Sequence, residues 1–185
     1  MKSFCTRLTA RLGLLGLSLL MLPSGQAAVD PDSLAPGLAP LAPWVGLTFR
    51  GELADSTPEQ PKVDVQHWER ILNGQAIRIM HSINEGEYGG ETLVIWDSER
   101  QTIAYWYVTT AGFHTEGTIT VDGNTYTSTE TVSGNANGIT QVEGSGEQLE
   151  DGTLLTRSRY LQNGQWVEGH SATYHEDPMA VVRFK

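Results

Sequence analysis

Cysteine is almost missing from this sequence. The 185 residues hold one, Cys5, and it stands before the apolar run LGLLGLSLLML. A lipoprotein signal needs its cysteine after the run, at the cleavage point. Without a second thiol there is no disulfide framework, no thiolate metal site and no cysteine nucleophile in the body of the chain. Basic residues are also scarce, with 12 Lys and Arg against 22 Asp and Glu. Three of the basic ones, Lys2, Arg7 and Arg11, lie in the leader, which leaves 9 basic residues facing all 22 acids. Such a surface is repelled by nucleic acid and by anionic lipid. Beyond the leader no run is apolar enough to span a bilayer. Gly-x-Ser-x-Gly, phosphate-loop and dinucleotide fingerprints are all missing, so the glycines belong to turns.

The leader itself has the layout of a secretory signal peptide. Basic residues precede a short apolar run, Pro23 and Ser24 break it, and Gly25-Gln26-Ala27 gives a small-residue exit. Cleavage is expected after Ala27, with Ala28 as second choice, so the protein is expected in the periplasm or secreted. Residues 28–43 follow as a Pro/Ala-rich linker or arm, read as extended or polyproline chain. Residues 44–185 form the domain proper, long enough for one sizeable core.

That domain alternates strand-like runs with tight turns. Asn73-Gly74, Asp122-Gly123 and Asn163-Gly164 each separate two such runs, and these pairs are strong hairpin signals. The central stretch is His81 to Phe113, the most apolar and aromatic part of the mature chain. Its Tyr105-Trp106-Tyr107 puts rings on both faces of one strand. Ten strands are predicted, over 44–52, 64–72, 75–83, 91–97, 101–108, 113–121, 124–132, 139–149, 153–162 and 165–174. The segment 62–72 reads as a strand, with a short helix as its alternative because Val65, Trp68 and Leu72 share a helical face. Sequential hairpins without crossovers make an antiparallel up-and-down meander, and one this long closes into a barrel to hide its edges. The fold class is therefore all-β.

Alternation then assigns faces, with the more apolar face placed inside. Ile77, Ile79 and Ile83 carry His81 inward. Leu93 and Ile95 carry Glu91. Ile103 goes with Tyr105 and Tyr107, and Tyr126 and Val132 with Glu130. Trp166, Ala172 and Tyr174 carry Glu168 and His170. A dry core does not hold three unpaired acids, so this interior is expected to be hollow or wet. The candidate ligand-binding residues are His81, Glu91, Tyr105, Tyr107, Glu168 and His170. Arg157 and Arg159 share a face whose direction the pattern leaves open. His114 and Glu116 read as a solvated outer face, and no metal signature accompanies them. No catalytic residue, metal or cofactor is assigned.

The Trp44-Val45-Gly46 entry to the first strand, the hairpin pairs, and HSINEGEYGGETLVIWD followed by YWYVTTAGF resemble a family of bacterial lipocalin-like barrels of unknown function. The resemblance runs from about Trp44 to His175. It implies a calycin-type barrel with an internal site, akin to lipocalins, fatty-acid-binding proteins and nitrobindins. The expected function is binding of a small, partly apolar molecule inside the barrel. One alternative is an isomerase or hydrolase using His81, Glu91 and His170. A second, implied by nitrobindins, is haem binding through His170 or His175, although the glycine-tyrosine-proline-threonine turn of that family is absent here.

Overall fold

Alternating side chains and glycine-containing turns give ten antiparallel strands. They are β1 (Thr48–Leu53), β2 (Val63–Ile71), β3 (Ala76–Ile83), β4 (Tyr88–Asp97), β5 (Thr102–Thr109), β6 (His114–Asp122), β7 (Thr125–Ser133), β8 (Ile139–Gln148), β9 (Leu154–Gln162) and β10 (Gln165–Glu176). Each pairs with its neighbour in sequence, and β1 pairs with β10, so the sheet closes into a barrel without edges. The computed structural model describes residues 33–134 and 137–185; the signal peptide, its cleavage point after Ala27 and the first residues of the arm lie outside the described residues. The turn at Asn163-Gly164 holds both residues at positive φ (50° and 79°), which suits the twist of the strands it joins. Segment 62–72 is a strand for most of its length, and its paired register with β3 excludes the helical alternative.

The Pro/Ala-rich segment differs from the expected arm. Pro36–Trp44 is a 3-10 helix that closes one end of the barrel, so the core begins eight residues before the predicted start at Trp44. Three residues per turn place Leu38, Leu41 and Trp44 on one stripe, and all three have no exposed surface. Pro36 opens the helix, where its missing N–H costs nothing. Trp44 packs against Trp68 at 6.1 Å and edge-on to Tyr126 at 5.4 Å between ring centroids. Phe49, Ile77, Val94 and Leu154 complete this dry end, all fully buried.

The far end has no such cover. Six inward side chains there, His81, Tyr107, Ser128, Glu130, Val142 and Tyr160, retain partial exposure. The barrel is thus stoppered at one end and reached by water at the other. After β10 the chain turns back along the outside. Asp177 donates its N–H to the Thr48 carbonyl at 2.9 Å, and Arg183 donates its N–H to Ser82 Oγ at 3.1 Å. This strap explains why Ser82 and Val65, on the outer face, are buried.

Candidate functional site

The open half of the lumen is built from alternate residues of β2 to β10. On β2, Asp64, Gln66 and Trp68 point inward and are 3%, 8% and 2% exposed. Cross-strand register sets Asp64 beside β3, where His81 projects from the same face. His81 Nδ1 lies 2.9 Å from Asp64 Oδ1, and its Nε2 lies 2.7 Å from the Tyr107 hydroxyl. Tyr107 meets the Tyr88 hydroxyl at 3.0 Å. The second oxygen of Asp64 accepts the Tyr174 O–H at 2.8 Å. Five side chains from β2, β3, β4, β5 and β10 thus make one continuous chain of hydrogen bonds.

The chain has a direction. A carboxylate only accepts, so with the imidazole neutral its one proton sits on Nδ1 and is donated to Asp64. Nε2 is then an acceptor and takes the Tyr107 proton. Tyr107 in turn accepts from Tyr88. A second acid lies near this chain. Glu130 on β7 accepts from Thr115 Oγ1 and from the Tyr105 hydroxyl. Burial raises the Glu130 carboxyl above its ordinary pKa, and those two hydroxyl bonds offset the rise only in part. Burial likewise pushes the Tyr88, Tyr105, Tyr107 and Tyr160 phenols upward, and all four feel the field of Glu130. These phenols therefore stay protonated at neutral pH, where they act as hydrogen-bonding groups rather than as bases.

Glycines set the shape of the wall. A methyl group on Gly90 would lie 2.5 Å from the Tyr107 ring, and one on Gly51 would lie 2.7 Å from the Tyr174 ring. Gly169 stands in the same relation to Tyr160, and Gly146 to Tyr126. Each of these rings lies against a bare stretch of backbone on the next strand.

Of the six residues expected to bind a ligand, the lumen brings together His81, Tyr105 and Tyr107. Glu91 is a correction. Val94 is fully buried while Leu93 is 40% exposed, so the inner face of β4 carries Tyr88, Gly90, Thr92, Val94 and Trp96. Glu91, between Met80 and Val108 in register, points outward. The strand is apolar on both faces, which is why counting Leu93 and Ile95 chose the wrong one. Glu168 and His170 are the other correction. A bulge between Glu168 and Ser171 shifts the register of β10 against β9 and reverses the alternation expected from Ala172 and Tyr174. Gly169 faces inward instead. Glu168 sits opposite Arg159 on the outer wall, and His170 is exposed, its ring 5.9 Å from that of Tyr160. Arg159 also faces outward, stacked on Trp166 at 4.6 Å and ion-paired with Glu143; Arg157 shares that face. His114 and Glu116 are exposed, as expected.

Asp64, Tyr88, Thr115, Tyr160 and Tyr174 complete the site, and face-counting did not select them for it. The inner face of β2 reads Asp64-Gln66-Trp68, too polar to be recognised as inner by composition. The usable signal is His81 itself, since an inward imidazole needs a partner on the paired strand. Among the described residues no group of three or more His, Cys, Asp and Glu is arranged to hold a metal ion.

No family model matches this sequence, and no curated protein matches it. Among solved structures it is similar to the crystal structure of Rv2717c from M. tuberculosis, with a TM-score of 0.59 and 16% identity. The match covers 78% of this chain and 99% of that one. At this identity the likeness speaks for the fold alone: a ten-stranded antiparallel barrel, of a kind that could bind a ligand.

Proposed function

We propose that this is an exported binding protein that takes a small, partly apolar molecule into the open half of its barrel. The reading rests on one observation. A hydrogen-bonded chain, Asp64–His81–Tyr107–Tyr88, shares with a second acid, Glu130, a half-barrel in which His81, Tyr88, Tyr107 and Glu130 stay partly exposed. Aromatic walls supply apolar contact, and a few convergent polar groups fix orientation, the usual make-up of a ligand site. Titrating the neutral apolar probe N-phenyl-1-naphthylamine should give saturable fluorescence enhancement. Tyr107→Ala, checked for folding first, should weaken that binding by about 1–3 kcal/mol, the usual cost of losing a buried aromatic contact. Equal affinity in the folded variant contradicts the proposal.

The enzyme alternative has one observation in its favour. His81 is oriented by a carboxylate on one nitrogen and bonded to a phenol on the other, an arrangement that can relay a proton. Against it, Nε2 is occupied by Tyr107. Ser158, the inward serine nearest Tyr160, is engaged by the His170 backbone at 2.9 Å. Haem ligation does not fit these residues. His175 lies on the outer face opposite Arg50, His170 is exposed at the bulge, and both nitrogens of His81 are taken.

A further inference from the structure

The binding reading leaves the chemistry of the ligand open, and the hydrogen-bond polarity of the lumen narrows it. With the His81 imidazole neutral, every proton in the Tyr88–Tyr107–His81–Asp64 chain is committed toward Asp64, which also absorbs the Tyr174 proton. Tyr88, at the chain's free end, has given its proton away and keeps only acceptor capacity. Glu130 likewise only accepts, and its partners Thr115 and Tyr105 are neutral hydroxyls. Tyr160, whose oxygen accepts from the His170 N–H, has a proton to spare. It offers a neutral donor and no countercharge.

Among the described residues, no Lys or Arg stands on this half of the inner wall. The strand-borne arginines of the described residues are Arg50, Arg70, Arg78, Arg157 and Arg159. Arg78 pairs with Glu69, and Arg159 with Glu143, on the outer face. Arg50 and Arg157 share the outer face, on which Arg50 lies opposite Val65 and His175. Arg70 is at the stoppered end, bonded to the Ser33 carbonyl at 2.7 Å. Lys62 stands in the loop between β1 and β2, ion-paired with Asp55. A lumen with two acids, one of them buried, acceptor oxygens and no Lys or Arg among the described residues has the wrong polarity for a fatty acid or any other carboxylate.

Resting on the binding reading above, we infer that the ligand is a small organic cation, a primary or secondary amine carried on an apolar body, with its ammonium group at Glu130 and Tyr88. An ammonium donates to acceptors such as the Glu130 carboxylate and the Tyr88 oxygen, and supplies the charge that the neutral partners of Glu130 do not. The acidic surface favours the same sign, because a field of net negative charge raises the local concentration of cations at the mouth.

Three probes of one shape and different charge test this: 2-phenylethylamine, 2-phenylethanol and phenylacetate, each used to displace bound N-phenyl-1-naphthylamine at pH 7. The amine should displace the probe at a concentration at least tenfold below that needed with the alcohol, and phenylacetate should be weakest. In Glu130→Gln, with each displacement corrected for the variant's own naphthylamine affinity, that preference should fall to within threefold. Tyr88→Phe, which removes only the last member of the chain, should also weaken the amine several-fold. If alcohol or carboxylate displaces as well as the amine, if the amine does not displace at all, or if Glu130→Gln keeps the preference, the inference is overturned and the binding reading stands. If the wild-type protein fails to bind the naphthylamine in the first place, the binding reading itself fails.

Discussion

Asp64 is 3% exposed and carries two hydrogen bonds, from His81 and Tyr174, so its removal is the most damaging single change in the lumen. Asp64→Ala leaves a buried phenol and an imidazole without their acceptor, at about 1–3 kcal/mol for each unsatisfied group. Urea unfolding should show that loss as a lower midpoint, and Tyr88→Phe should cost less because Tyr88 ends the chain. Glu130 behaves in the opposite sense. Its folded pKa is raised by burial, so the native state binds the proton more tightly than the unfolded chain. Stability therefore falls as pH rises from the unfolded carboxyl pKa, about 4.3, through the raised folded value, and above that the full penalty stands. Glu130→Gln should thus add stability at pH 7–8, about 1.4 kcal/mol for each unit of the shift, seen as a higher melting temperature. The gain should vanish at pH 3, and a variant less stable than wild type at neutral pH would contradict the assignment. At this scale His81, Tyr105, Tyr107 and Glu130 were legible, because each alternates with plainly inward residues. Asp64 was not, since nothing in a polar inner face distinguishes it from an outer one.

The elements were more legible than the faces. Asn-Gly and Asp-Gly pairs marked the hairpins, and the ten strands lie within a few residues of their predicted ranges. What stayed hidden were features that break a period. The bulge in β10 reverses inside and outside between Gly169 and Ala172, and no local composition announces it. The stopper was hidden for a different reason. Prolines at 36, 40 and 43 suggest an extended arm, yet the spacing of Leu38, Leu41 and Trp44 matches a three-residue turn. Leu41 is fully buried in that stopper. Leu41→Ala should cost about 2–5 kcal/mol, measured by denaturant unfolding. A loss below 0.5 kcal/mol would show that the helix is a detachable arm after all.

At the scale of the molecule, a closed sheet, a stoppered end and an external C-terminal strap leave one open end, with an acidic, aromatic lumen behind it. Export is expected from the leader, and mass spectrometry of the protein recovered from outside the cytoplasm should give Ala28 or Val29 as first residue. The central claim is that ligand enters the lumen and not the outer wall, where exposed Trp106 and Trp166 flank a groove of about 380 Å³ that reaches in to Tyr105 and Glu130. Gly144 on β8 faces the lumen, where an added side chain meets the Ser128 hydroxyl at 2.7 Å. Gly144→Phe therefore fills the lumen, and Trp106→Ala strips the outer groove. The decisive measurement is naphthylamine binding by these two variants, each shown to be folded by circular dichroism. Binding should be lost in Gly144→Phe and kept within twofold in Trp106→Ala; the reverse pattern would place the site on the outer wall and contradict the account.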